Sequence, residues 1–431
     1  MRQMLLLIIS AIFIPTLSFA TETVEQDLPN GLKVIVREDH RAPIVLTSIW
    51  YKVGASYEAD GKTGISHMLE HMMFKGTTKY GPGVFNQMIG DSGGDNNAIT
   101  SDDFTVYFET TSPEKLDTVF ALESDRMHNL LLDDHAFQLE RKVVMEERRM
   151  RVDDSPQSTT YERFRAAAFL NNPYHHPTIG WMTDIEHYDI QDLRDWYHTF
   201  YQPNNAVLIV VGDVHADAVF ALAKKYFGVI PSHAVPVSKP RHEVPTLGEK
   251  SIQVHLPAQL PWFIMGYQVP ARSYTLLLCE NILSGGASAR LPMDLVRHQT
   301  VAVEAGADYS FYDLHKTLFM LEGTPTPNHS VADLKKALQN EIHLLQTTLV
   351  SEDELNRVKA QLIADRVYQN DSLMKQVFEL GEPEVMGLSW RETKAFDDNI
   401  QRITPNDIRT AAKTYFTQNN ATIAQLMPTR K

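Results

Sequence analysis

The stretch DLRDWYHTFYQPNNAV, residues 192–207, returns 215 positions later as DIRTAAKTYFTQNNAT, residues 407–422. Asp192, Arg194 and Thr199, the aromatic pair Phe200-Tyr201 and the run Asn204-Asn205-Ala206 all meet their counterparts in register. Against the alternative of chance similarity between two helix-to-strand junctions, a repeat at this spacing points to internal duplication of an α+β unit roughly 210 residues long. The fold expected is α+β: two homologous α/β-sandwich domains facing each other across a cleft, with the cleft as the place for a site.

Working outward, LPNGLKVIV holds an Asn30-Gly31 hairpin signal before a strand, IVLTSIWYKVG and FTVYFET read as further strands, and AVLIVVGDV reads as a buried strand closing the first half. Pro231, Pro236, Pro240 and Pro245 mark a linker. The expected division is a leader over 1–20, an N-terminal metal-binding domain over 21–230, a linker over 231–245 and a homologous C-terminal domain over 246–431. The leader reading rests on Arg2, the apolar run from Met4 to Ile14, Pro15, and small residues Ser18 and Ala20 spaced for a signal peptidase. That run is shorter than the roughly 20 residues a spanning helix needs, so the expectation is a periplasmic or secreted protein with no membrane anchor after cleavage.

The chain has 431 residues, 43% of them apolar, which is ordinary for a protein that buries real cores. Its 54 acidic against 40 basic residues argue against a nucleic-acid partner. Cys279, the only cysteine, excludes an intramolecular disulfide and reads as a buried helix position.

One helical stretch carries chemistry. In SHMLEHMMFKG, residues 66–76, at about 100° per residue His71 falls about 40° from His67 and Glu70 about 60° to its other side, while Ile65, Met68, Leu69, Met72 and Met73 fill the opposite side. Spacing alone leaves two readings, a solvated polar stripe or a metal site. A zinc site on two histidines needs a third protein ligand. The stretch LERKVVMEERRM, residues 139–150, puts Glu140 and Glu147 on the same stripe as Val143 and Val144. Carboxylates that share an apolar stripe need a compensating partner, a cation or an arginine from elsewhere. Glu146, Arg148 and Arg149 read as solvated or salt-bridged, and His175 and His176, in a Pro-rich loop, as structural.

His67, Glu70 and His71 spell the inverted zinc motif H-x-x-E-H, and Glu147 follows His71 by 76 positions with Glu140 seven before it. With WYKVGASYE, GISHMLEHMMFKGT, GGDNNAIT, ERKVVMEE and QPNNAVLIVVGDV, the chain resembles the pitrilysin family of zinc metallopeptidases, which includes insulin-degrading enzyme, mitochondrial processing peptidase and many bacterial two-domain peptidases. The resemblance implies Zn²⁺ held by His67, His71 and Glu147, and Glu70 as general base. It implies Glu140 as a supporting or proton-handling group, and Asn97 and Ala98 as the strand edge that pairs with an extended peptide substrate.

The resemblance breaks in the second half. Single-chain members bring an Arg and a Tyr, seven apart, to the substrate carbonyl, and aligning LSGGASARLPMDLVRHQTVAV puts Val296 and Val303 at those places. Arg297 is one position out, about 100° around a helix; Tyr309 and Tyr312 are alternative donors from another register. Losing one such donor costs about 10² to 10³ in kcat. The expectation is therefore a zinc endopeptidase that forms a heterodimer with a paralogue supplying the Arg and Tyr. The alternative is a noncatalytic peptide-binding or assembly subunit that retains zinc.

Overall fold

The computed structural model describes residues 22–237 and 241–429. The leader expected over 1–20 lies outside the described residues. The first sheet is built from β1 (Thr23–Asp27), β2 (Lys33–Glu38), β3 (Val45–Tyr51), β4 (Asp95–Thr100), β5 (Thr105–Thr111) and β6 (Ala206–Gly212), in the order β1-β2-β6-β3-β5-β4. The second is built from β7 (Lys250–Pro257), β8 (Trp262–Val269), β9 (Ala302–Tyr309), β10 (Thr317–Pro325) and β11 (Ala421–Thr429), in the order β7-β11-β8-β10-β9. Apart from β1 the two orders trace one path: first strand, last, second, fourth, third. In both, the first and last strands pair parallel and the other neighbours antiparallel. The duplication read from the two Asn-Asn-Ala junctions is thus repeated in the topology.

The helices that position the site and the junction are α1 (Ile65–Met72), α2 (Asp134–Arg148), α3 (Pro156–Ala168), α4 (Ile190–Phe200), α5 (Ala216–Tyr226), α6 (Tyr274–Ser284), α7 (Leu373–Val385) and α8 (Pro405–Tyr415). The repeated sequence has a local cause. Asp189 with Asp192 forms a capping box at the start of α4, and Thr404 with Asp407 does the same for α8, satisfying the free N–H groups of each first turn. The Asn205 side chain donates to the carbonyl of Phe200 at 2.9 Å and Asn420 to that of Tyr415 at 2.9 Å, closing each helix before the chain enters a buried strand. Cys279 is fully buried on α6.

All seven residues of β6 are buried, because it lies between β2 and β3 with both faces covered. One face, with Val34, Val36, Ile49, Tyr51 and Leu208, packs on Met68, Leu69 and Met72 of α1 and on α4 and α5. The other, with Ile35, Trp50, Val106, Val207 and Ile209, packs on Val377 and Leu380 of α7, a helix from the other end of the chain. The exchange is reciprocal: Phe164 and Ala168 of α3 are buried on the second sheet with Trp262, Ile264 and Ala424. Two glycines permit it. A Cβ on Gly381 would lie 2.3 Å from the Trp50 ring, and one on Gly266 would lie 2.7 Å from the Phe164 ring.

Near the end of the Pro-rich segment, the Glu243 carboxylate accepts from the backbone N–H groups of Leu170, Asn171 and Asn172 at 2.7–3.1 Å. No helix of the described residues is long and apolar enough to cross a membrane.

Candidate metal centre

α1 begins at Gly64, whose φ of +85° and close backbone crossing with Gly180 exclude a side chain on either residue. The buried Glu58 carboxylate caps the helix, accepting from Gly64 N at 2.6 Å and Ser66 N at 2.8 Å. Burial pushes that carboxyl up to about 8 against the pull of the two N–H groups. Across the crossing, the buried Arg148 at the end of α2 donates to the Gly180 carbonyl at 2.7 Å and to Glu162 at 2.8 Å. Arg148 therefore locks the residue next to it, Glu147, in register with the start of α1. The sequence reading placed Arg148 in a salt bridge or in solvent; the salt bridge forms, but only 3% of the residue is exposed.

His67, His71 and Glu147 converge, their ligand atoms all lying within 4.8 Å of one another. His71 Nε2 is 3.1 Å and His67 Nε2 3.8 Å from Glu147 Oε2. Glu140 stands behind them, its Oε1 2.9 Å from His71 Nδ1 and its Oε2 2.5 Å from Lys75 Nζ. The stripe that pointed to these carboxylates is half right: Val144 is fully buried, but Val143 is 51% exposed, because the two valines flank the Glu140–Glu147 line on opposite sides, one toward the core and one toward solvent. Glu70, on the adjacent side of α1, is hydrogen-bonded to the Thr100 hydroxyl at the end of β4.

The electrostatics fit a cation. Burial lowers His67, with help from neighbouring His71, to about 4, so its imidazole is neutral. Burial would also lower His71, but hydrogen bonds to Glu140 and Glu147 carry it up to about 9. His71 is the first cause of the lowered Glu147 carboxyl; for Glu140, burial raises it and the bonds to His71 and Lys75 overcome that. Burial raises Glu70, the state suited to a base that takes up and returns a proton. Two imidazoles and a carboxylate are a donor set for Zn²⁺ that leaves a fourth position open, and the His71–Glu140 pair is the kind of bond that orients a ligating imidazole.

Asn97 and Ala98 lie on β4, which among the described residues pairs only with β5 and is the edge strand of its sheet. The Asn97 side chain folds back to accept from Ala98 N at 2.9 Å, covering one donor of that edge. His175 and His176 sit beside the start of α1, facing Asp60 and Glu58, outside the donor cluster. In the second half, Val296 is half-buried against the core and Val303 is exposed on β9. Tyr309 spends its hydroxyl inside its own half, donating to the Pro270 carbonyl at 2.8 Å and accepting from Ser273 N at 3.0 Å. Tyr312 packs with Trp50 and α7 on the sheet face opposite α1. The cavity of about 710 Å³ at the junction of the halves, lined by Lys52, Asn205, Arg241, His315 and Met386 among others, contains none of the metal donors.

Residues 33–181 match the family described as Insulinase (Peptidase family M16), and residues 187–362 the one described as Peptidase M16 inactive domain. The chain is 31% identical to zinc protease PqqE of Helicobacter pylori over 93% of its own length and 92% of that protein. It is 25% identical to the beta subunit of the mitochondrial-processing peptidase of Saccharomyces cerevisiae, over 88% of its length and 86% of that protein. The crystal structure of a protease from Helicobacter pylori superposes with a TM-score of 0.90 at 30% identity, covering 95% of this chain and all of that one. With an inverted histidine motif, a distal glutamate and duplicated sheets behind these matches, the chain belongs to peptidase family M16, the pitrilysin family of zinc metallopeptidases.

Proposed function

We propose that this chain is the catalytic subunit of a periplasmic zinc endopeptidase that cleaves extended peptides. The observation that carries the reading is the placement of Glu70: it precedes His71 directly and follows His67 by three residues on α1, beside the converging His67, His71 and Glu147, and is hydrogen-bonded to Thr100, on the strand whose edge would carry the substrate. Zinc held there would supply an acidified water and polarise the scissile carbonyl. Glu70 takes the proton and returns it to the leaving amine, its buried carboxyl matched to that exchange. Glu140 fixes the His71 ring through Nδ1 and leaves Nε2 for the ion. Peptide backbone adds to β4 at Asn97 and Ala98 once the Asn97 side chain releases the Ala98 N–H.

Among the described residues, the polar partners of His71, Glu70, Glu140 and Glu147 come from the first half, and the second half offers Val296 and Val303 where carbonyl donors are expected. That supports a heterodimer with a paralogue that supplies an Arg and a Tyr. A second copy of this chain would bring the same valines. The periplasmic location rests on the leader-like residues 1–20.

The test is zinc content and peptide hydrolysis of wild type and Glu70→Gln, each alone and with the paralogue. Loss of hydrolysis with zinc retained is expected for the variant; equal rates would reject the mechanism. The valines also favour the rival reading, a noncatalytic peptide-binding subunit, which predicts tight binding and no turnover under either condition.

A further inference from the structure

β2 and β6 are parallel neighbours, with Glu38 beside Gly212, so the loops that follow them leave the sheet side by side. One loop carries His40 and the other Asp213 and His215, and the three side chains Glu38, His40 and His215 bring one ligand atom each to within 4.8 Å of one another. Glu38 Oε2 is the common point, 3.3 Å from His40 Nε2 and 4.0 Å from His215 Nδ1.

Two of the three are held in place from behind. Glu38 Oε1 accepts from Ala216 N at 2.8 Å, in the first turn of α5, which leaves Oε2 turned outward. His40 Nδ1 lies 2.6 Å from Asp213 Oδ1, so that carboxylate fixes the ring and directs Nε2 toward Glu38. This arrangement of an imidazole held by a carboxylate through one nitrogen, with the other nitrogen facing a second carboxylate, is the one His71 shows between Glu140 and Glu147. His215 is largely exposed and already faces Glu38. Glu22, Asp39 and Asp217 line the same groove, against a single arginine, Arg41, which adds to its attraction for cations.

We propose that Glu38, His40 and His215 form a second, surface site for a borderline divalent cation of the zinc and copper class, positioned by Asp213 and separate from the His67, His71 and Glu147 centre. Two imidazoles and one carboxylate select such ions over calcium or magnesium, which prefer all-oxygen shells. Water fills the remaining positions, and the site is weaker than the buried one because His40 and His215 are exposed to solvent.

Its consequence is mechanical. Asp39, between Glu38 and His40, accepts from Arg41 and from Gln376 of α7, and Arg41 reaches Asp371 at 2.7 Å and the Asn370 carbonyl at 2.8 Å. An ion held by Glu38 and His40 fixes the loop that clasps the second half's helix onto the first sheet.

The experiment uses the full chain with Zn²⁺ as the probe, reading bound zinc per chain after dialysis at a fixed free concentration and the zinc-dependent rise in Tm. Wild type should bind two ions; the pair His40→Ala and His215→Ala should bind one and lose part of the Tm rise, while peptide hydrolysis assayed with the paralogue matches wild type. Glu147→Gln should keep the surface ion. Asp213→Asn, with the ligands intact, should weaken the second ion about 10-fold or more. One ion per wild-type chain, or two in the His40 and His215 variant, would overturn the assignment without touching the peptidase reading, which is judged by Glu70→Gln.

Discussion

Glu140 lies 2.9 Å from His71 Nδ1, while Glu147, two turns along the same helix, lies 3.1 Å from Nε2 of that ring. One helix thus supplies both the group that orients a histidine and the group that shares an ion with it, and the two roles can be separated. Glu140→Gln keeps the shape but removes the charge that favours a basic imidazole. Zinc affinity, measured by chelator competition, should fall about 10- to 100-fold, whereas Glu147→Gln should lose the ion of this centre altogether.

The edge of β4 gives a prediction about substrate. Ala98 N is paired with the Asn97 side chain rather than with β5, so proline at 98 removes a donor without cutting the sheet. Ala98→Pro should raise KM for extended peptides several-fold and leave zinc content unchanged. An unchanged KM would remove this edge from the substrate path.

Gly381 packs flat on the Trp50 indole, where a Cβ would sit 2.3 Å from the ring. Gly381→Ala should destabilise the chain by about 1–3 kcal/mol in urea unfolding, the usual range for overpacking. Adding Trp50→Phe, which shrinks the ring, should recover part of that loss.

Acid sensitivity follows from Asp39. Hydrogen bonds from Arg41, with Gln376 adding to them and burial opposing, lower its carboxyl to about 2. A folded value below the unfolded 3.8 means the pair's stabilisation is present above about pH 4 and is lost as pH falls through 2. In metal-free buffer, Asp39→Asn should lower Tm at pH 7 and flatten its dependence between pH 4 and 2. A variant with the wild-type acid limb would show that the clasp contributes nothing.

Helical periods put three positions of α1 on one side and Glu140 and Glu147 seven apart on α2, which left a polar stripe and a metal site both open; the family resemblance named the ligand set. The duplication was legible because capping boxes and the Asn205 and Asn420 clamps are local devices that repeat with the chain. What was hidden depends on partners remote in sequence. Arg148 reads as one more charge in an Arg-rich run until Glu162 and Gly180 are placed around it. Glu38, His40 and His215 are joined only by the parallel pairing of β2 with β6, although REDH and GDVH at the two strand ends carried the signal. Nothing local in α3 or α7 names the sheet it covers; Phe164 and Leu380 would be apolar positions on either one.

That exchange of helices has a consequence for biosynthesis. As the chain emerges from its N-terminus, the first sheet can assemble once β6 is made, but the face around Trp50 stays bare until α7, more than 160 residues later, has been synthesised. An early-folding first half would expose a wide apolar surface to other nascent chains. The halves must then finish together, and a chain cut at the Pro-rich segment would yield two fragments that are soluble only as a co-produced pair.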